Sequence, residues 1–243
     1  MQALMAGFWG LVSGSALILG AFIGLYAGAS KRVVSLIMAI GAGILISAVA
    51  FDLMEEAFRR GGLVSSALGL LAGAIVFFVG DWIISRRGGK HRKRSGGQQQ
   101  ANAGLAIALG SLMDDIPESV AIGVSMLSGG TVGWTMVMAV FLSNVPEALS
   151  SAAGMQKSGY SRRFIVSLWL GVMLACGVSA FLGNLLLASA PAQAVASIQA
   201  FAAGAILAML ASTMMPEAYE EGGAIVGLVT ALGFLTSFVL DRI

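Results

Sequence analysis

The sequence contains little charge. Of its 243 residues, 11% are charged and 58% are hydrophobic, and the mean hydropathy is +0.90. A soluble globular domain has about a quarter of its residues charged, so this composition excludes an ordinary soluble domain. It indicates a polytopic membrane protein, and we predict an all-α integral membrane fold embedded in the lipid bilayer.

Cysteine and histidine are nearly absent, with one residue of each. The single cysteine, Cys176, excludes an intrachain disulfide bond. The single histidine, His91, stands among basic residues, where positive charge makes it a poor metal ligand, so we expect it to be solvated. The chain also has no H-E-x-x-H motif and no serine–histidine pair in an apolar segment, so an intramembrane enzyme is not expected.

Long apolar runs predict eight transmembrane helices, because a span needs about 20 apolar residues. The predicted spans are residues 4–26, 33–58, 63–85, 101–127, 131–155, 164–188, 193–219 and 222–241. We interpret residues 1–243 as one transmembrane transporter domain. Residues 86–100 are polar, basic and rich in glycine, and we predict a mobile loop there that could contact anionic lipid. A membrane loop this short is not a plausible nucleic-acid site.

The basic residues are distributed unevenly between the two faces. Of the 14 Lys and Arg residues, eleven lie in connections 1–2, 3–4, 5–6 and 7–8, which leaves three on the other face. Cytoplasmic loops carry the excess of Lys and Arg. We therefore predict that residues 86–100 are cytoplasmic and that both termini lie outside, in a bacterial inner membrane or a plasma membrane.

Residues 41–83 resemble residues 202–243. The alignment pairs Gly43 with Gly204 and Met54 with Met215, and it continues through the two Gly-Gly pairs at 61–62 and 222–223. Spans two and seven are five apart, so the two copies cross the bilayer in opposite directions. We predict inverted repeats, spans 1–3 against 6–8 and span 4 against span 5, which is a recurrent plan in transporters.

Polar residues recur at one spacing in spans four and five. Residues 111–123 read S-L-M-D-D-I-P-E-S-V-A-I-G, and 29 positions after Asp115 the stretch S-N-V-P-E-A places Pro-Glu again. Acids at this depth are rare and usually mark an ion or substrate path. The i, i+3 and i, i+4 spacing puts the first three acids on one helix face. The predicted metal ligands are Asp114, Asp115, Glu118, Asn144 and Glu147, with Ser143 beside them.

Four carboxylates in one pocket repel one another, so they need a cation or protons to remain buried together. One or two divalent ions would balance them, and transport should then slow at acidic pH because protons compete with the metal. Flanking acids could extend the path. Asp52 and Glu56 would admit the ion at the outer face and Glu217 would release it at the cytoplasmic face, unless these acids are simply solvated helix ends.

The Pro-Glu motifs and the span layout resemble the ZIP family of divalent metal transporters. That family typically shows H-N-x-P-E-G in span four, where this chain has D-D-I-P-E-S, and a related motif in span five, where it has S-N-V-P-E-A. Both motif histidines are missing. The resemblance implies a metal site between spans four and five, often binuclear, a homodimer, and movement of spans one, four, five and six against the rest.

The identity of the ion stays open at this point. The resemblance favours Zn²⁺, whereas an all-oxygen ligand set favours a harder ion, so we expect a first-row ion or a close relative: Zn²⁺, Mn²⁺, Fe²⁺ or Cd²⁺. The alternative is a proton-coupled transporter of a small organic cation or metabolite, in which the same acids would carry protons. Few aromatic residues lie near these acids to provide a cation–π wall for an organic cation.

Overall fold

The computed structural model describes residues 1–27, 30–100, 102–128, 133–240 and 242, and the predicted span ends at residues 101, 131 and 241 lie outside this part of the chain. Within the described residues, every regular element is helical. The α-helices are α1 (Gln2–Phe22), α2 (Lys31–Ala48), α3 (Glu55–Arg86), α4 (Gly104–Ser125), α5 (Trp134–Lys157), α6 (Arg162–Leu187), α7 (Ala192–Met209), α8 (Met215–Gly222) and α9 (Ile225–Leu240).

In the part of the chain that the structure describes, five helical segments are long and apolar enough to cross a membrane, and α9 is a shorter apolar helix. The five segments are Gln2–Ala27, Lys31–Arg86, Trp134–Lys157, Arg162–Leu187 and Ala192–Gly222. The prediction of an all-α fold compatible with a membrane protein is therefore confirmed. The second segment contains two predicted spans, 33–58 and 63–85, and it bends at Gly62, whose φ is 73°. The number of spans stays a prediction.

The two stretches that resemble each other in sequence share an irregular local geometry. A π-helical turn at Val49–Met54 separates α2 from α3, and a second one at Leu210–Met214 separates α7 from α8. The chain then turns at Gly62 and at Gly223, which have nearly the same backbone angles, φ 73° and ψ −176° against φ 71° and ψ −159°. Only glycine adopts this conformation readily, which explains why glycine stands at both positions.

Glycines bring the helices of these two stretches into backbone contact in the same way. A Cβ added at Gly43 on α2 would collide with the carbonyl oxygen of Thr230 on α9, and one at Gly204 on α7 would collide with that of Leu70 on α3. Added Cβ atoms at Gly73 and Gly233 would likewise meet the carbonyl oxygens of Phe201 and Ile40. Helix α2 thus packs on α9 as α7 packs on α3, with small residues at both contacts.

Connections predicted for the cytoplasmic face contact one another. Lys31 Nζ lies 2.7 Å from Glu221, Arg94 lies 2.6 Å from Glu220, and Lys157 Nζ donates to the carbonyl oxygen of Ser95 over 2.9 Å. These contacts join the α1–α2 connection, the α3–α4 loop and the ends of α5 and α8 into one face of the molecule.

Candidate cation site

The site lies between α4 and α5, and both helices continue through their internal prolines, Pro117 and Pro146. The polar residues predicted for α4 and α5 all face the interior. The buried residues, each at most 5% exposed, are Asp114, Asp115, Glu118, Ser143, Asn144 and Glu147. Because each helix turns one face inward, the i, i+3 and i, i+4 spacing of these residues is sufficient to bury them together.

Polar contacts link the two helices across the site. In the amide orientation that satisfies its neighbours, Asn144 donates to Asp115 Oδ1 over 3.2 Å and to the carbonyl oxygen of Val140 over 3.3 Å. Asp115, Glu118 and Glu147 lie near enough to repel one another electrostatically. One oxygen of each has no hydrogen-bond partner: Asp115 Oδ2, Glu118 Oε2 and Glu147 Oε1. Buried carboxylate oxygens in this condition are costly, and a cation or a proton would satisfy them.

Two basic side chains that the sequence analysis assigned to a mobile loop are buried in this site. Lys93 Nζ lies 2.8 Å from Glu147 Oε2 and 3.1 Å from Asp114 Oδ2, so a single ammonium group bridges α5 and α4. The sulfur of Met209 on α7 is 3.5 Å from the same nitrogen. Lys93 is therefore fixed by three helices.

Arg92 occupies the neighbouring position. Its Nε and Nη2 donate to the two oxygens of Asp114, each over 3.2 Å, and its Nη1 donates to Asp81 Oδ1 on α3 over 2.8 Å. Its side chain is 3% exposed. Asp114 thus accepts from two buried cations, which makes it the most heavily paired of the predicted ligands.

Glycines explain how a polar loop reaches this depth. A Cβ at Gly110 on α4 would collide with the side chain of Arg92, and one at Gly154 on α5 would collide with the carbonyl oxygen of Arg94. The segment is bounded by Gly88 and Gly97, both with positive φ. The prediction that residues 86–100 form a mobile loop in contact with lipid is therefore wrong for Arg92 and Lys93, which lie in the cleft that these glycines leave open.

The charges in the sequence give an indication that Arg92 and Lys93 are inserted between the helices. Four mid-span acids, those at 114, 115, 118 and 147, have no basic residue in their own predicted spans, 101–127 and 131–155, while R-K-R stands in a nearby loop between two Gly-Gly pairs. Buried charges are normally paired. The basic run was the nearest source of compensating charge, and the two Gly-Gly pairs permit the tight turns that the insertion requires.

No family model matches this chain, and no curated protein matches it either. Its function therefore has to be argued from the site. Across the described residues, no group of three or more His, Cys, Asp or Glu side chains is arranged to hold a metal ion directly. Lys93 explains part of this, because its ammonium group stands between Asp114 and Glu147.

Ser143 lies beside the site without contributing to its charge balance. Its hydroxyl donates to the carbonyl oxygen of Val140 over 3.0 Å, on its own helix. The hydroxyl of Ser119, the residue after Glu118, is buried beside the thiol of Cys176 on α6, and this thiol lies near Asp115 and Glu118. The sequence analysis assigned neither residue to the site.

The acids predicted for the outer face line a separate cavity of about 360 Å³. Asp52 and Glu56 both border it, with Ser125 at the end of α4 and Gly133 just before α5. Glu56 is paired with Arg60 Nε over 2.7 Å, and the backbone carbonyl of Asp52 accepts a hydrogen bond from Gln199 over 3.2 Å. These residues thus surround a polar cavity apart from the α4–α5 site.

Glu217, which the sequence analysis assigned to the cytoplasmic face, lies on α8. It lines a cavity of about 230 Å³ together with Arg92, Lys93 and His91. His91, which was expected to be solvated, is partly exposed, and its Nδ1 is buried without a partner. Burial, followed by the positive charges of Arg94 and Lys90, lowers the pKa of His91, while Glu220 acts in the opposite sense. Arg92 and Lys93 thus border both this cavity and the α4–α5 carboxylates.

Proposed function

We propose that this chain transports divalent metal cations through the carboxylate site between α4 and α5. The observation that carries the proposal is the set of three buried carboxylate oxygens without partners, on Asp115, Glu118 and Glu147. A fold that only needed packing would place apolar side chains here, because isolated buried charge destabilises a protein. Ionisable residues inside a membrane protein usually mark the path of an ion or a substrate.

The donor set supports a divalent metal as the transported substrate. The predicted ligands offer carboxylate oxygens from both helices and the amide of Asn144, and one soft donor, the buried thiol of Cys176 on α6, lies near Asp115, Glu118 and Glu147. Oxygen donors suit Mn²⁺ and other hard ions, and they also bind Zn²⁺, Fe²⁺ and Cd²⁺. The resemblance to ZIP transporters points to the same substrate class, and it adds a homodimer to the proposal, which light scattering on the detergent-solubilised protein would test.

An inverted repeat would provide the mechanism of alternating access. The equivalent glycine contacts of α2 with α9 and of α7 with α3 support such a repeat, as do the matching π-helical turns before α3 and α8. If the two copies exchange conformations, the same site opens first to the cavity beside Asp52 and then to the cavity beside Glu217. We place these two acids at the outer and inner ends of the path, within eight spans and with both termini outside.

The test is uptake into proteoliposomes across Zn²⁺, Mn²⁺, Fe²⁺, Cd²⁺, Co²⁺ and Mg²⁺. Glu118→Gln and Glu147→Gln each remove one charged ligand and should lower uptake at least about tenfold, as loss of a metal contact typically does. Glu221→Gln is the matched control, since Glu221 forms an ion pair with the exposed Lys31 and lines neither of the two cavities of the proposed path. Uptake by the wild type should also fall as the pH is lowered. Equal uptake by Glu118→Gln, Glu147→Gln and the control would refute the proposal.

A second candidate substrate is a small organic cation. One observation favours it, because the site already accommodates an alkylammonium group, that of Lys93, between Asp114 and Glu147. A diamine or a guanidino amine presents the same chemistry as Lys93 and Arg92. Inhibition of metal uptake by such amines, followed by uptake of a radiolabelled amine, distinguishes the two substrates. Amine uptake without metal uptake would favour this candidate.

A further inference from the structure

We propose that residues 89–94, here called the basic segment, form a tethered plug whose two cations occupy the site until a substrate cation replaces them. This inference rests on the proposed function, and it adds a regulatory element to the same site. Arg92 and Lys93 approach from the connection between α3 and α4, and both side chains end on the carboxylates of the proposed path. The path is therefore closed on the side of Glu217.

The two cations of the plug carry the same total charge as the divalent metal ion that would replace them. Arg92 and Lys93 together contribute two positive charges to the pocket, and a divalent metal contributes the same number. Exchange of one for the other leaves the net charge of the buried pocket unchanged. The two also need the same position, because Lys93 Nζ stands 3.1 Å from Asp114 Oδ2 and 2.8 Å from Glu147 Oε2, so a metal ion that binds both carboxylates must displace it. Metal and basic segment therefore bind in competition.

The basic segment is built to leave the site. Its regular structure is a single 3₁₀ turn, Gly89–His91, which follows Gly88 in the left-handed region. Arg94, the last residue of the segment, forms an ion pair with Glu220, and both of these side chains are substantially exposed. Exposed ion pairs contribute at most about 1 kcal/mol. Apart from its contacts with the buried carboxylates, the segment is held mainly by this ion pair and by the Arg94 carbonyl oxygen, which accepts a hydrogen bond from Gln99 Nε2 over 2.6 Å and lies against Gly154.

A permanent structural role would give different behaviour. If Arg92 and Lys93 only neutralise Asp114, they stay in place when the protein binds substrate, and their removal weakens binding because the site loses its order. A plug gives the opposite result. When only a fraction of the molecules is unplugged, the apparent Kd exceeds the intrinsic Kd by the inverse of that fraction, so displacing the plug strengthens apparent binding.

The first experiment follows Lys93 in the wild-type protein by acetylation with an N-hydroxysuccinimide ester and mass spectrometry. Lys93 is buried, whereas Lys90, three residues away, is exposed, as are Lys31 and Lys157, so the latter three are internal controls. Titration with Zn²⁺ or Mn²⁺ should raise labelling of Lys93 along the metal-binding curve and leave the controls unchanged. If metal binds and Lys93 stays protected, the plug is refuted while the transport proposal stands.

The second experiment displaces the plug without changing any charge. A side chain at position 110 would collide with Arg92, so Gly110→Val should expel the basic segment, while Gly171→Val is the control because nothing lies within 4 Å of its added Cβ. Calorimetric titration should show metal binding to Gly110→Val at least about tenfold tighter than to the control, corresponding to a plugged population of about 90% or more. Equal or weaker binding refutes the plug.

The two experiments separate failure of the plug from failure of the transport proposal. Binding by Gly110→Val but not by the wild type supports a tightly closed plug. Absence of metal binding in the wild type and in Gly110→Val, with both proteins folded by circular dichroism, refutes both the plug and the metal site. Because Gly110→Val keeps all the carboxylates and both cations, a change in charge cannot account for either result.

Discussion

The pairing of Asp114 with two buried cations predicts a large effect of a small substitution. Asp114→Asn keeps the shape of the side chain and removes the charge that faces Arg92 and Lys93. Loss of one partner from a buried ion pair destabilises a protein by about 3–5 kcal/mol. Each cation keeps a second carboxylate, Asp81 for Arg92 and Glu147 for Lys93. We therefore expect the lower end of that range, about 3 kcal/mol.

Thermal unfolding in detergent measures this effect. For a chain of this length, about 3 kcal/mol corresponds to a fall in Tm of about 6–12 °C. Glu55→Gln breaks an exposed pair with Arg59 and should change stability by less than about 1 kcal/mol. The double variant Asp114→Asn, Lys93→Met should be more stable than the sum of the single effects predicts, because the two changes remove partners of one contact. A fall in Tm for Asp114→Asn no larger than that of Glu55→Gln would show that the basic segment is not inserted.

Three further predictions concern the path, the loop and the repeat. Glu217→Gln should slow metal release from loaded proteoliposomes while leaving the Kd for metal unchanged, because Glu217 lies beyond the basic segment; unchanged turnover would remove it from the path. Because the pKa of the His91 imidazole is lowered in the folded protein, the unfolded chain binds a proton at His91 more strongly, and the stability of the fold should decrease as the pH drops below about 6.5. In the His91→Gln variant, the difference between the Tm values above and below that pH should be smaller than in the wild type. An equal difference in the two proteins would show that His91 is not responsible for the pH dependence. Gly43→Val and Gly204→Val should each lower the free energy of unfolding by about 1–3 kcal/mol or more, because the added side chain overpacks a helix contact. Gly227→Val is the control, since its added Cβ has no atom within 4 Å, and it should change the Tm little. A strong effect of only one of the first two substitutions would contradict the repeat.

The sequence predicted the inward face of α4 and α5 because helical spacing alone determines which residues share a face. Asp114, Asp115 and Glu118 are buried on α4, and Asn144 and Glu147 are buried opposite them, as the shared spacing around Pro117 and Pro146 indicated. The pairing of Gly43 with Gly204 likewise pointed to two stretches with equivalent local structure. These inferences need only the period of the helix and the low tolerance of the membrane for charge.

The position of the basic segment could not be predicted in this way. Composition and glycine content describe residues 86–100 as a solvated loop, and an isolated loop of this composition would be mobile. Its insertion depends on long-range contacts, namely the space above Gly110 and the carbonyl contact at Gly154, together with carboxylates on three other helices. No local propensity encodes a cleft formed by elements 10–60 residues away.

The missing histidines and the inserted cations have a common physical explanation. A histidine ligand is neutral when its metal leaves, so a site that contains histidines gains little charge on emptying. Here the positions that resemble the motif histidines hold Asp114 and Ser143, and the empty pocket is left with the carboxylates of Asp114, Asp115, Glu118 and Glu147. Such a pocket must take up protons or a compensating cation whenever the substrate is absent. A cation tethered to the same chain is always available, and Lys93 provides it between Asp114 and Glu147. On this reasoning, Asp114→His, which replaces a charged group by a neutral one, should weaken the binding of Lys93 in the site. Acetylation of Lys93 in the metal-free protein should then increase. Protection of Lys93 equal to that in the wild type would show that the carboxylate at position 114 does not hold the basic segment in place.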